Sequence, residues 1–155
     1  MMEHFKTLEN LRDYIKTLGK FYARPTERGA HPTLYIGATE VGIVHGIRKR
    51  DYLFSIDEEW VLPHGGMGLS FSAHWQHLKR IYRLKQKITP QKSIDVFWVL
   101  EKADIPSGLE FVADPKDSNH YLLTVTEKMT VYALVAKLNW VADRMSVIRC
   151  GEKSL

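Results

Sequence analysis

The segment from Ile94 to Leu100 is the most apolar part of this 155-residue chain. Its length suits one central strand that is buried on both faces. Apolar residues recur at helical spacing on either side of it, over residues 72–87 and 130–146, which predicts two amphipathic helices. The interpretation is an α+β fold: amphipathic helices flanking a small, split and mainly antiparallel sheet.

The rest of the chain supplies further elements of the same kind. An N-terminal amphipathic helix over about 3–22 is predicted by the helical spacing of Phe5, Leu8, Leu11, Ile15, Leu18 and Tyr22. Residues 24–29 break this helix, and residues 149–155 have the composition of a polar tail. Strands are predicted over 33–36, 51–55, 109–112 and 121–125. The chain contains neither a repeat nor a linker, so we expect a single domain over residues 1–155.

Composition narrows the setting in which the chain works. The single cysteine, Cys150, excludes an internal disulfide and fits a reducing compartment. No apolar run approaches the ~20 residues of a membrane span, and the N-terminus lacks the apolar core of a signal peptide. We therefore expect a cytoplasmic protein without a membrane partner, with signal-less secretion into a target-cell cytoplasm left open. The net charge of +4 favours an anionic partner.

A glycine-rich loop, His64-Gly65-Gly66-Met67-Gly68-Leu69-Ser70-Phe71-Ser72, precedes the helix predicted over residues 72–87. Glycines let a backbone approach a ligand closely, and serine hydroxyls donate hydrogen bonds to anionic oxygens. A helix that begins near Ser72 would add its free N–H groups and the positive end of its dipole. The loop is thus a candidate phosphate site, although it matches neither GxGxxG nor the P-loop. The alternative is an ordinary glycine loop with a serine N-cap.

The helix that follows is strongly basic. No aspartate or glutamate occurs between Glu59 and Asp95, and the cations in that window are Lys79, Arg80, Arg83, Lys85, Lys87 and Lys92. A helix face of this composition can track phosphates with salt-sensitive affinity. Nucleic-acid binding by the basic helix 74–92 is therefore the main alternative function. A solvated surface is the simpler explanation, because no known nucleic-acid motif accompanies it.

Metal and nucleophile chemistry have little support. His74 and His77 are the one close histidine pair among seven histidines, and no cysteine or carboxylate stands near enough to complete a site. No metal is predicted, and both rings are expected to lie on the wet basic face. Ser70 lacks the second glycine of a nucleophile elbow, so a hydrolase is not favoured.

Three segments taken together resemble the ADP-ribosyltransferase fold. They are Thr33-Leu34-Tyr35-Ile36-Gly37, a strand ending in glycine; Gly66 to Ser72, which enters a helix; and His120 to Glu127, a strand ending near a carboxylate. The chain also resembles a small toxin family delivered by type VI secretion, over about residues 33–146. The best-matching parts are Leu34-Tyr35, Gly65-Gly66 before Ser70, and Asp104-Ile105-Pro106-Ser107-Gly108-Leu109 followed by His120-Tyr121 and Met129.

The resemblance implies a toxin that binds NAD as its substrate and transfers ADP-ribose to an acceptor. It assigns catalytic roles to Glu127, Ser72 and His120. The NAD-binding residues that it implies are Tyr35, Gly37, Gly66, Gly68, Ser70, Arg48 and Arg50. The acceptor is unknown, and an immunity protein is a further candidate partner.

One departure from the family pattern bears on activity. Ile36 stands where the family carries Arg or His, so a catalytically degenerate member of the fold is a third interpretation. Arg48 or Arg50 would then have to supply the missing guanidinium. Glu127 has a simpler interpretation as a first-turn helix charge that stands before Thr130.

Overall fold

A computed structural model of the chain describes residues 3–27, 42–90, 94–101 and 105–151. Within these ranges there are three helices and 12 strands, and the strand pairing is mainly antiparallel, so the predicted α+β class is confirmed. By its internal contacts the chain divides into two compact units. The first comprises residues 1–32, 71–103 and 144–155, and the second comprises residues 33–70 and 104–143.

The helices are α1 (Leu8–Lys16), α2 (Trp75–Ile88) and α3 (Val131–Ala142). The strands are β1 (Glu3–Phe5), β2 (Phe21–Glu27), β3 (Ile43–Val44), β4 (Ile47–Arg48), β5 (Leu53–Phe54), β6 (Trp60–Leu62), β7 (Leu69–Ser72), β8 (Ile94–Glu101), β9 (Leu109–Asp114), β10 (Asp117–Val125), β11 (Met129–Thr130) and β12 (Ser146–Cys150).

The first unit is built around β8, the strand predicted from the apolar run. β8 pairs antiparallel with both β2 and β12, and β1 adds in parallel outside β12. All five residues from Val96 to Leu100 are buried, as a central strand requires. The core of this unit joins α1 and α2 to the sheet through Leu8, Leu11, Ile15, Phe21, Ala23, Trp75, Leu78, Tyr82, Ile94, Phe97, Val99, Ile148 and Cys150.

Three predictions within this unit were wrong in extent. The N-terminal helix covers only Leu8–Lys16 of the predicted 3–22, because Gly19 adopts a left-handed conformation (φ +63°) and turns the chain into β2. The predicted break over 24–29 falls partly on β2, which continues to Glu27. The predicted polar tail begins inside β12, where Cys150 is fully buried.

The second unit holds the β9–β10 hairpin, the three strands β11, β6 and β5, the short β3–β4 hairpin, and α3. The strands predicted over 109–112 and 121–125 are present and extend to meet at a turn before Asp117. α3 confirms the helix predicted over 130–146, with its apolar face buried through Leu134, Leu138 and Val141. Its N-cap is Thr130, whose hydroxyl accepts from the Ala133 N–H.

Among the described helices, none is long and apolar enough to cross a membrane. The strand predicted over 33–36 lies outside the described residues.

Candidate functional site

The glycine loop is attached to strand β10 in the second unit. The Thr124 hydroxyl donates to the carbonyl oxygen of His64 at 3.3 Å. The loop closes on itself, because the Gly66 N–H donates to His64 Nδ1 at 3.1 Å and the Met67 N–H to the His64 carbonyl at 3.3 Å. His64 therefore fixes both the shape of the loop and its position on β10.

Gly68 makes the closest approach between the loop and this strand. A Cβ atom at that position would lie 2.6 Å from the carbonyl oxygen of Leu123, well inside van der Waals contact. The same Leu123 oxygen accepts a 2.8 Å hydrogen bond from the buried hydroxyl of Tyr52. Only glycine fits at this position, since both Cβ contacts under 3 Å are with backbone atoms of β10.

Glu127 follows three residues after Thr124, in the exposed turn between β10 and β11. Its carboxylate lies over Gly108: a Cβ there would be 3.0 Å from Glu127 Oε1 and 3.0 Å from Met129 Cε. Gly108 is itself left-handed (φ +93°), and its carbonyl accepts from the Thr126 N–H at 2.8 Å. The Gly108 turn therefore packs against the turn that contains Glu127 and is hydrogen-bonded to it. Glu127 itself remains exposed to solvent.

Cations occupy the surface of the same unit. The Lys128 ammonium lies 4.5 Å from the centre of the Trp60 ring, a cation–π contact. Lys128 is the residue directly after Glu127. Arg48, at the end of β4, and Arg50, in the turn after it, are both exposed. Both arginines belong to this unit, as the predicted phosphate contacts require, and their role in binding NAD stays a prediction.

Ser72 lies in the first unit and is almost fully buried at 2 % exposure. Its hydroxyl shares a 2.5 Å hydrogen bond with Nδ1 of His77, which is also buried. Ser72 is not the N-cap of α2, which begins at Trp75 after His74. The expectation that His77 lies on the wet basic face was wrong, because His77 sits at the edge of the buried stripe beside Leu78. A direct contact of Ser72 with a ligand stays a prediction.

His120 is held by Asp114 at the other end of β10. Its Nδ1 lies 2.8 Å from Asp114 Oδ2, and the Lys116 N–H donates to the other carboxylate oxygen at 2.9 Å. The hydrogen bond from the Lys116 N–H, followed by that from His120, lowers the pKa of Asp114. Val125 comes five positions after His120 along the extended strand, which is roughly 16 Å. His120, the fourth of the nine residues of β10, is therefore well separated along the strand from the end that leads to Glu127.

The remaining predicted residues divide between exposed and undescribed positions. Ser70 is exposed in β7, in the second unit, with Gly66 in the same connected segment. Tyr35 and Gly37 lie outside the described residues. Sequence reasoning missed the anchoring roles of Tyr52 and His64, since no motif marks a tyrosine or a backbone carbonyl that will hold a distant loop.

Within the part of the chain that the structure describes, no three histidine, cysteine, aspartate or glutamate side chains are grouped as metal ligands. Comparison with family models, with curated proteins and with solved structures finds no match to this chain.

Proposed function

We propose that the chain is an ADP-ribosyltransferase-like toxin that binds NAD and transfers its ADP-ribose group to an acceptor molecule. One observation carries this proposal: the glycine loop is joined to the strand that leads into Glu127. The Thr124–His64 hydrogen bond and the Gly68–Leu123 approach bring together two of the three segments on which the resemblance depends.

The proposed roles of the individual residues follow from whether their side chains are exposed to solvent. The exposed hydroxyl of Ser70 and the loop backbone at Gly66 would bind the ribose and phosphate oxygens of NAD. The exposed carboxylate of Glu127 would stabilise positive charge on the ribosyl carbon as nicotinamide leaves. Arg48 and Arg50 would attract the pyrophosphate. Ser72 would act through His77, by holding the start of α2, and His120 would lie outside this site.

Titration of the purified protein with NAD tests the binding half of the proposal. Ser70→Ala should weaken NAD binding, because it removes an exposed hydroxyl donor. The matched control is Lys79→Ala on α2, which should leave NAD affinity unchanged. NAD affinity that is unaffected by Ser70→Ala and lost with Lys79→Ala would contradict the proposed site.

Production of the protein in a cell tests the toxin half. We expect growth arrest that is relieved by Glu127→Gln, because that substitution removes the charge that the transfer requires. Arrest that survives Glu127→Gln combined with Ser72→Ala would refute a transferase toxin. The carboxylate control is Glu110→Gln, since Glu110 is an exposed residue of β9 with no assigned role.

Nucleic-acid binding by α2 is the second candidate, favoured by the absence of any acidic side chain on this helix. The structure removes two side chains of α2 from the surface that could contact phosphates. His77 is turned into the core, and the Lys85 ammonium donates to the Pro25 carbonyl at 2.8 Å. Lys79, Arg83 and Lys87 stay as candidate phosphate contacts. Lys79→Ala should therefore weaken RNA binding and flatten its salt dependence. Ser70→Ala should leave RNA binding unchanged.

A further inference from the structure

The turn that joins β5 to β6 projects a single, fully exposed isoleucine. Ile56 is 104 % exposed relative to its reference state, which means that its side chain has no cover from the described residues around it. It is followed by Asp57, Glu58 and Glu59, the acidic cluster of the chain. We call residues 55–59 the acidic tip. Within this tip an aliphatic side chain stands among carboxylates.

This tip is held in one conformation by its own hydrogen bonds. The Ser55 hydroxyl donates to Asp57 Oδ1 at 2.6 Å, and the Glu59 N–H donates to the same oxygen at 3.1 Å. The Ser55 N–H and the Trp60 carbonyl close the hairpin at 2.9 Å. Glu58 completes the turn in a left-handed conformation (φ +61°) and pairs with Lys49 at 2.6 Å. The backbone that carries Ile56 is therefore ordered.

A turn whose backbone is ordered before binding loses little backbone conformational entropy when a partner covers it. The Ser55 hydrogen bond lowers the pKa of Asp57. The chemistry of the tip thus suits an apolar surface with cations around it.

Helix α2 of the same protein presents such a surface. Leu84 and Ile88 are large hydrophobic residues that are 47 % and 66 % exposed. They stand four positions apart and so share one face of the helix, with Arg80 and Lys87 beside them on that face. No acidic residue occurs on α2. We call this surface the basic-aliphatic face.

We propose that the acidic tip of one copy docks on the basic-aliphatic face of α2 in a second copy, so that Ile56 packs against Leu84 and Ile88. This inference is independent of NAD binding. The two surfaces differ, so the contact is heterologous: it generates a ring or an open chain of copies, or a dimer when two such contacts close. Ion pairs between the acidic tip and the cations of α2 would make association weaken as salt increases.

Sedimentation of the full chain over a range of protein concentrations, at low and high salt, tests the proposal. The mean mass should rise with protein concentration at low salt. At any one concentration it should be lower at high salt than at low salt. Ile56→Asp and Ile88→Asp should each weaken association by about ten-fold or more, because each removes one side of the apolar contact. The matched control is Tyr132→Ala, which removes a side chain that is 71 % exposed elsewhere and should leave the mass unchanged.

Mixing the two variants gives the sharpest result. The Ile56→Asp protein keeps an intact α2 face and the Ile88→Asp protein keeps an intact tip, so an equimolar mixture should form a 1:1 complex. A mixture that stays monomeric while the unmodified chain associates would overturn the proposal, because an intact tip and an intact α2 face would then have failed to bind each other. An unmodified chain that stays monomeric at every concentration, or an Ile56→Asp protein that associates normally, would overturn it as well.

Discussion

Gly68→Ala is the substitution that most directly tests how the glycine loop is attached to β10. A methyl group there would lie 2.6 Å from the Leu123 carbonyl oxygen and 2.8 Å from the Leu123 carbonyl carbon. Overpacking against backbone costs about 1–3 kcal/mol. Any shift of that carbonyl also weakens its hydrogen bond from the buried Tyr52 hydroxyl, at about 0.5–1.5 kcal/mol. We therefore expect the free energy of unfolding to fall by about 2–4 kcal/mol.

For a chain of this length, 1 kcal/mol corresponds to about 3 °C in Tm, so the Gly68→Ala protein should melt roughly 6–12 °C lower. Differential scanning calorimetry measures this change. The matched control is Gly65→Ala in the same loop, where an added Cβ has nothing within 4 Å, and its Tm should move little. Tyr52→Phe should cost less in the Gly68→Ala background than alone, because the two residues share one carbonyl. Equal Tm values for the two alanine variants would refute the proposed attachment.

Three further predictions concern the ends of β10 and the start of α2. Ser72→Ala should lower the free energy of unfolding in urea by about 1–2 kcal/mol, because it removes the buried hydrogen bond to His77; an unchanged midpoint would contradict this. Asp114→Asn should destabilise the protein at neutral pH, and its difference from the unmodified chain should disappear as the pH falls through the lowered folded-state pKa of Asp114. The sign follows from the lowered pKa of Asp114, whose stabilisation is present above its unfolded-state pKa and is lost as the pH falls through its folded-state pKa; a difference that persists at low pH in thermal melts would count against it. Gly108→Ala should cost about 1–2 kcal/mol, because its left-handed φ of +93° disfavours a Cβ, and it should slow nicotinamide release by displacing Glu127; unchanged melting and release would show that the Gly108 turn does not support that carboxylate.

The fold was predictable where a long apolar pattern had only one good solution. β8 and α3 are such elements, since an uninterrupted apolar run and a strong helical stripe leave little choice. The N-terminal helix was predicted too long because Phe21 and Tyr22 continue its apolar spacing by coincidence. Gly19, whose left-handed φ ends the helical region, was the available stop signal. The alternation of buried and less buried residues in β12 was also present in the sequence, with Ile148 and Cys150 inward.

The candidate site was less predictable, because long-range contacts decide it. The glycine loop and Glu127 were singled out from sequence, but their connection runs through Thr124 and the His64 carbonyl, 60 residues apart. A histidine within a basic window also gives no sign that its ring will be buried. His77 is buried because its place on α2 is next to Leu78, and the Ser72 hydroxyl satisfies its Nδ1.

Nicotinamide release from NAD by the purified protein tests the central claim most directly. The assay compares the unmodified chain with Glu127→Gln and with the control Glu110→Gln, which changes another exposed carboxylate, on β9. We predict nicotinamide release by the unmodified chain and by Glu110→Gln. For Glu127→Gln we predict a rate that is lower by a factor of about 100 or more, as expected when transition-state charge stabilisation is removed. NAD binding without release would point to the degenerate site that Ile36 suggests. Release that is undiminished in Glu127→Gln would contradict the role of this carboxylate, and with it the proposed mechanism.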